Sequence, residues 1–182
     1  MNKLLASVLI GVATLTVATA ATAKTSAAHA TYNATVDKAS ADYKVARAQC
    51  DSLSGNGKDV CVEEAKAVEK RAKADAKAQY KHTRKARTDA RIAAADADYA
   101  VAKAKCGAKS GNDMNVCVEQ AKAAQTKAVT EAKANKKVSD ARVEARSDSR
   151  DADYKVATQK CDALAGADKD SCVSAAKAKF GK

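Results

Sequence analysis

A unit of 27 residues occurs three times along this chain, and this repetition restricts the possible folds more than any other feature. The copies are Ala41–Ala67, Ala97–Ala123 and Ala152–Ala178, offset by 56 and 55 residues, and they align without an internal gap. Each copy keeps an Asp-Tyr pair, two Cys and a central Gly. Chance similarity in a chain rich in Ala and Lys would not reproduce this pattern three times. The sequence therefore predicts a repeat protein.

The composition favours helices and excludes a conventional apolar core. From residue 24 onward the larger aliphatic and aromatic residues are few: thirteen Val, two Leu, one Ile, one Phe and one Met besides the Tyr residues. Aromatic residues make up 3% of the 182 residues, charged residues make up 30%, and Pro and Trp are absent. Ala is the best helix former. We expect an all-α protein of long, exposed, Ala-rich helices, without a broad sheet or a deep apolar pocket.

Each repeat unit is predicted to be a helical hairpin. Apolar residues before the central Gly alternate three and four residues apart, which is the spacing of a narrow heptad seam. In copy one this seam is Val36, Ala39, Tyr43, Ala46, Cys50 and Leu53, and it resumes after the turn as Cys61, Ala65, Val68 and Ala72. The central Gly residues are expected to end a helix in the left-handed conformation. The expected N-caps of the following helices are Asn56, Asn112 or Asp113, and Asp168.

The six cysteines are predicted to form three local disulfides. Ten residues separate the members of each pair, which are Cys50 and Cys61, Cys106 and Cys117, and Cys161 and Cys172. Both members lie on the seam near the turn, within reach of disulfide geometry in an antiparallel hairpin. Six cysteines allow 15 pairings, but the threefold repetition favours the local one. Each disulfide would add about 2–3 kcal/mol to the free energy of unfolding. This contribution is important because packing of Ala on Ala buries little apolar area.

A metal site is the competing interpretation of the cysteines, and the spacing does not favour it. No Cys-x-x-Cys pair occurs, and the two histidines, His29 and His82, lie outside the repeats. The acidic turn of copy one lacks the Glu and the spacing of an EF-hand calcium loop. Copy two has Gly107 and Asn115 where copy one has Asp51 and Asp59. We therefore predict structural disulfides and expect no metal and no cofactor.

With turns only at the three central Gly residues, the sequence predicts four helices. Their expected ranges are Thr31–Leu53, Lys58–Lys105, Asp113–Leu164 and Asp168–Phe180. The two inner helices would each be about 70–80 Å long. Folding at each turn would give a four-helix cluster at one end and a two-helix, coiled-coil-like arm at the other. The alternative is a set of hairpins that hinge between repeats, around Thr83–Thr88 and Asn135–Ser139.

The N-terminal segment is predicted to be a secretory signal peptide. Residues 1–23 contain a short basic start with Lys3, an uncharged apolar stretch, and the small-x-small sequence Ala21-Thr22-Ala23. These are the three parts of such a peptide in order, and the apolar stretch is short for a membrane-spanning helix. Cleavage near Ala23 would leave residues 24–182 as the helical repeat region, with a net charge of about +10. The expected location is the periplasm or the exterior of the cell.

Positive charge is concentrated in two stretches of the chain. Lys66–Arg91 carries ten basic and three acidic residues, and Lys122–Arg150 carries eight basic and four acidic residues. If the two long inner helices pair as predicted, the two basic stretches lie side by side. One interpretation is a solvated face that keeps an Ala-rich rod soluble. The other is salt-sensitive attraction to an anionic partner, such as lipid head groups, cell-wall polymer or an acidic protein.

The chain resembles small exported bacterial proteins built on ADYKVAxxKCDxLxGxxKDxCVxxAKA units, and this resemblance covers nearly all of the mature chain. Such proteins imply no particular activity. The stretch Glu64–Lys81 also resembles, in composition, the helical rod of TolA-type envelope proteins, although this chain has no separate globular C-terminal domain. The leading hypothesis is a non-catalytic structural or interaction protein of the cell envelope. Its partner is undefined, and the exposed Ala seams allow a homo-oligomer.

Two other function classes are open from the sequence. A basic helical arm resembles the tentacles of the Skp family of holdase chaperones, although the β-rich base of that family is absent. Ala/Lys-rich helices also resemble linker-histone tails, but a signal peptide and the lack of aromatic-basic interleaving argue against nucleic acid. An enzyme is not expected, because no nucleophile–base pair stands out. Asp42, Asp98 and Asp153 are interpreted as solvated charges, and Tyr43, Tyr99 and Tyr154 as seam residues.

Overall fold

The computed structural model describes the backbone of residues 19–182 and the side chains of residues 26–182. The signal-peptide prediction, residues 1–23, therefore falls outside the described residues, apart from the backbone of its last five. Five α-helices and one short 3-10 turn make up the described chain. They are α1 (Thr19–Gln49), the 3-10 turn Cys50–Ser52, α2 (Gly55–Lys81), α3 (Arg84–Cys106), α4 (Gly111–Cys161) and α5 (Gly166–Phe180).

The predicted fold class, all-α with disulfide-stapled antiparallel hairpins, is confirmed. The described residues contain no strand, and each of the three disulfides joins the end of one helix to the start of the next. The predicted pairing of two long inner helices is wrong, however, because the second helix does not run unbroken to Lys105. It ends at Lys81, and α3 begins at Arg84. The hinge alternative is correct at this junction.

The break between α2 and α3 is made by two residues. His82 adopts the left-handed conformation, with φ of 50°, and its N–H donates to the carbonyl oxygen of Ala78. Thr83 is extended, and its Oγ1 accepts a hydrogen bond from the backbone N–H of Ala86 at 3.0 Å. A left-handed C-terminal residue followed by a Thr N-cap ends one helix and starts another. The chain therefore reverses at His82–Thr83.

The hinge predicted at Asn135–Ser139 is wrong, because α4 runs through these residues without a break. It contains 51 residues, which corresponds to about 77 Å at 1.5 Å per residue. Its first part pairs with α3 as far as the ion pair between Arg84 and Asp140. The helix then continues past the His82–Thr83 turn, and α5 folds back on its far end, where Lys182 pairs with Asp151.

The helices form an open meander, in which each helix packs only against its neighbours in the described sequence. Helix α1 contacts α2, α2 contacts α3, α3 contacts α4, and α4 contacts α5. The predicted four-helix cluster is therefore wrong. Between Asp140 and Asp151, all of residues 141–150 are exposed, because α4 has no neighbour there. The C-terminal hairpin is thus held away from the α1–α4 layer by a bare segment of helix.

The buried residues are small, as the composition requires. Among the side chains of residues 26–182, twelve of the buried residues are Ala, three are Cys, and the remaining one is Thr88. Small side chains let neighbouring helices approach closely, so a helix can be covered on both sides without large apolar residues. Leu53, which ends the predicted seam before the turn of copy one, is 46% exposed, and Leu164, at the same position of copy three, is 45% exposed. The interior of this protein is therefore a set of Ala contacts between helix pairs. The α1–α2, α3–α4 and α4–α5 pairs are each anchored at a disulfide, whereas α2 and α3 are joined by the His82–Thr83 turn.

Candidate functional site

Three disulfides fix the ends of the hairpins. Cys50–Cys61, Cys106–Cys117 and Cys161–Cys172 have Cα–Cα distances of 5.6, 5.6 and 5.7 Å, and each pair is 11 positions apart in the sequence. The first cysteine of each pair is at most 1% exposed. No cysteine of the chain is left as a free thiol. These six residues hold the scaffold and present no thiol for chemistry.

The central Gly residues are left-handed, as predicted, but they start a helix instead of ending one. Gly55, Gly111 and Gly166 have φ values of 55°, 54° and 55° and are the first residues of α2, α4 and α5. The N-cap positions are Ser54, Ser110 and Ala165, and none makes a side-chain cap hydrogen bond. The prediction that Asn56, Asn112 or Asp113, and Asp168 are the N-caps is therefore wrong. Asp113 and Asp168 lie in the first turns of α4 and α5.

Asn56 has a different role, which the sequence did not reveal. Its Nδ2 donates to the carbonyl oxygen of Ala104 on α3 at 2.9 Å. Gly107 lies so close that a Cβ there would meet the Asn56 amide at 3.3 Å. The signal in the sequence is that copy two has Gly107 where copies one and three have Asp51 and Asp162. Asn56 therefore ties the first repeat to the second.

Cationic side chains converge where the start of α3 lies beside the middle of α4. The segment Arg84–Arg91 carries four basic residues and one acidic residue. Together with α4 it forms two adjoining clefts of about 250 and 400 Å³. We call this the basic turn surface and define it as Lys81, His82, Arg84, Lys85, Arg87, Arg91, Lys136 and Lys137. The predicted contact between the two basic stretches is thus limited to this region, because α2 does not touch α4.

Two carboxylates partly neutralise the basic turn surface. Asp140 accepts hydrogen bonds from Lys136 and from Arg84 Nε, the latter at 2.6 Å, and these hydrogen bonds lower the pKa of its carboxyl below the usual value. Asp89 pairs with Lys85 at 2.7 Å. The Arg87 guanidinium donates to the carbonyl oxygen of His82 at 3.2 Å. Arg87 and Arg91 make no ion pair among the described residues, so their charges remain open to a ligand.

An aromatic cluster lies beside the same turn. Tyr32 of α1 stacks on Tyr80 of α2 with ring centroids 5.1 Å apart, and His29 lies 5.7 Å from Tyr80. The Lys81 ammonium lies 5.4 Å from the centroid of the Tyr80 ring. This cluster packs α1 against α2 at the end of the pair opposite its disulfide. The predicted seam tyrosines, Tyr43, Tyr99 and Tyr154, are half-buried in the hairpins.

The described residues hold few groups suited to other chemistry. No set of three or more His, Cys, Asp or Glu side chains converges there in a way that could hold a metal ion. Two of the three repeated acidic residues take part in surface pairs: Asp42 binds Lys38 at 2.6 Å, and Asp98 binds Arg71. Within the described chain, no helix is both long enough and apolar enough to cross a membrane.

Comparison with known proteins gives no relative. No family model, no curated protein and no solved structure matches this chain.

Proposed function

We propose that this chain is an exported, non-catalytic interaction protein that binds an anionic component of the cell envelope through the basic turn surface. The observation that carries the proposal is the meeting of Arg84, Arg87 and Arg91 on α3 with Lys136 on α4 around shared clefts. Charges that converge from two helices attract an anion more strongly than the same charges spread along one helix.

The chemistry of the surface suits phosphate-bearing ligands. Arg presents a planar fork of donors that matches a phosphate group, and the surface contains three such side chains. The first turn of α3, with its positive helix-dipole end, adds backbone N–H groups beside Lys85. The ion pairs of Arg84 and Lys136 with Asp140 are only partly buried, and ion pairs that solvent can reach are weak, so a multivalent anion can compete for these cations.

The three disulfides support the exported location. Such bonds persist in oxidising compartments and are rare in the reducing cytosol. Their presence in all three hairpins is compatible with an exported protein. The signal segment at residues 1–23 supports the same location from the sequence. The repeats are then scaffold, and the basic turn surface is where partner binding takes place.

A vesicle-binding experiment tests this function. The mature chain is mixed with vesicles of phosphatidylcholine alone, with vesicles that also contain phosphatidylglycerol, and with soluble polyphosphate, each at several salt concentrations. We expect binding to the anionic vesicles that weakens with salt, and no binding to the neutral ones. Polyphosphate distinguishes the source of the phosphate: competition by the soluble polymer points to an envelope polymer, and its failure points to a lipid surface.

Matched charge reversals locate the binding surface. The variant Arg87→Glu/Arg91→Glu changes the net charge by four units at the basic turn surface. The control Lys44→Glu/Lys122→Glu makes the same change at exposed positions far from the turn. We expect the first variant to lose about tenfold or more in affinity and the control about twofold or less. Equal losses in both, or tighter binding to duplex DNA than to the anionic vesicles, would overturn the proposal. The second result would favour the nucleic-acid interpretation.

A further inference from the structure

The first two repeats dock on each other through one defined interface between α2 and α3. Arg71 pairs with Asp98, and Glu64 pairs with Lys105 at 2.8 Å. At the edge of the interface, Asn56 donates to the backbone of α3. Ala67 and Ala97 are covered there, at 4% and 2% exposure. The second helix of one repeat thus binds the first helix of the next through two ion pairs of opposite polarity, seven residues apart on α3, and a longer pair between Lys70 and Asp96 at 3.5 Å.

The same two faces recur in the chain without a partner. Each contact surface of the α2–α3 interface has a counterpart at the same distance from the paired cysteines of another repeat. The surface of α2 that contacts α3 corresponds to a surface of α4 in repeat two, and the surface of α3 that contacts α2 corresponds to a surface of α4 in repeat three. The first is Asn112, Gln120, Ala123 and Lys127, and the second is Ala152, Asp153, Val156 and Lys160; all eight are exposed. We name them the repeat-two face and the repeat-three face. Ala123 and Ala152 are the open counterparts of the covered Ala67 and Ala97.

The two open faces are complementary in the same way as the closed interface. Lys127 stands where Arg71 stands, and Asp153 stands where Asp98 stands. Asp153 and Lys127 make no ion pair among the described residues, so both charges are available. Gln120 takes the place of Glu64 opposite Lys160, where it can still accept a hydrogen bond. Apart from the Lys70–Asp96 pair, whose cation is replaced by Thr126, the interface that joins repeats one and two can therefore be built a second time from residues this chain already has.

One copy of the chain cannot close this second interface by itself. Lys127 and Asp153 lie on the same continuous helix, 26 residues and about 39 Å apart along its axis. Closure would need a reversal of α4 like the one at His82. Counting 21 residues beyond the second cysteine of each repeat, Val138 occupies the position of His82. A β-branched residue is poorly suited to the left-handed conformation, so α4 stays straight and keeps the two faces apart.

We infer that the occupant of each open face is a second copy of this chain. The repeat-two face of one copy binds the repeat-three face of another, with Lys127 opposite Asp153 and Gln120 opposite Lys160. The interface is heterologous, so each dimer still presents one free face of each kind, and assembly continues head to tail. This inference does not depend on the proposed function, because neither face includes the basic turn surface.

One residue difference between repeats two and three should make the inferred interface between chains weaker than the α2–α3 interface within one chain. Asp162 of repeat three stands at the position of Gly107, where a Cβ would press on the Asn56 side chain at 3.3 Å. In the assembly the Asp162 side chain would meet Asn112, and that amide must shift by a few tenths of an ångström. Asp162→Gly should therefore strengthen self-association by about three- to tenfold.

Sedimentation velocity of the mature, disulfide-intact chain, over about three orders of magnitude in concentration, tests the inference. We expect the weight-average sedimentation coefficient to rise with concentration. Lys127→Glu and Asp153→Arg should each weaken association about tenfold or more, because each places like charges opposite one another. A mixture of the two variants should assemble again. When the two variants alternate, every contact joins opposite charges, since the two substituted residues face each other at one contact and the two native residues at the next.

Recovery of association when the two variants are mixed distinguishes a lost contact between chains from a folding defect and from closure of α4 on itself within one chain. A variant that had lost its fold would not recover, and closure of α4 on itself would be restored only by both changes in one chain. The matched control is Asp42→Arg, which changes the corresponding residue of repeat one. Asp42 already pairs with Lys38, and Gln49 stands where Lys160 stands, so this change should leave association unchanged. A wild-type chain that stays monomeric throughout, a mixture that does not recover, or a loss of association in Asp42→Arg would overturn the inference.

Discussion

Asn56 at the start of α2 donates its side-chain N–H to the carbonyl oxygen of Ala104, 48 residues further along the chain, at 2.9 Å. This is a side-chain to backbone bond between two repeats, at the end of the layer where the disulfides lie. It joins two hairpins whose other contacts are exposed ion pairs and small Ala side chains. The half-buried amide therefore fixes the relative position of the first two hairpins.

Asn56→Ala should lower the free energy of unfolding by about 1 kcal/mol, the usual net value of one hydrogen bond. The matched control is Asn112→Ala, which changes the same position of repeat two, where the side chain is exposed. At a protein concentration low enough to keep the chain monomeric, the control should stay within about 0.5 kcal/mol of the wild type. Urea unfolding followed by circular dichroism measures both, and equal effects would contradict the assigned role.

Removing one disulfide should have different consequences in different hairpins. Helix α5 has 15 residues and, among the described helices, packs only against α4; a helix of this length is marginal alone in water. Cys161→Ala/Cys172→Ala should therefore release α5, while Cys50→Ala/Cys61→Ala leaves α2 held by α3. Each removal should cost about 2–3 kcal/mol locally. Hydrogen exchange with mass spectrometry measures the local stability of each helix. Faster exchange throughout α2 and α3 in Cys161→Ala/Cys172→Ala would argue against independent unfolding of the C-terminal hairpin.

Thr83→Ala should destabilise the reversal between α2 and α3. The substitution removes the bond from the Ala86 N–H to Thr83 Oγ1, and the loss of a Thr N-cap costs about 1 kcal/mol. Ser139→Ala is the comparison, because Ser139 lies 22 residues beyond its cysteine as Thr83 does, but inside a continuous helix. There the change to Ala should be neutral or slightly stabilising. Thermal unfolding of both variants gives the answer, and a stable Thr83→Ala would show that the turn does not need its cap.

Acid should weaken the first hairpin through Asp51. Hydrogen bonds from Arg47 at 2.7 Å and Lys58 at 2.9 Å lower the pKa of this carboxyl to about 2. Since the folded pKa lies below the unfolded value of about 3.9, the contribution to stability is complete above about pH 4 and is lost as the pH falls toward 2. Asp51→Asn should remove this part of the pH dependence. Asp59→Asn, which removes a nearby carboxylate without an ion pair among the described residues, should retain it when unfolding is followed from about pH 5 to about pH 2.

The hairpins themselves could be predicted from the sequence, because their determinants are local and repeated. Helical spacing, the central Gly and the two cysteines lie within 27 residues, and three copies of the pattern point to one structure. The predicted seam is buried at Ala39, Cys50 and Ala65, but the prediction is wrong for Val68, which is 62% exposed. The seam is incomplete, however. Ala67, Ala78 and Ala90 are buried on the other sides of α2 and α3, since each of these helices lies between two neighbours.

By itself, the sequence determined the helical hairpins, the partners of the cysteines and the concentration of positive charge between the repeats. Only the tertiary structure decided that the chain reverses at His82 and stays straight at Val138, and that the cations of Arg84 and Lys136 share one surface. The physical reason is that helix propensity is similar at both junctions. The choice between a turn and a continuous helix depends on one cap, one left-handed residue and the Ala surface that the neighbouring helix covers.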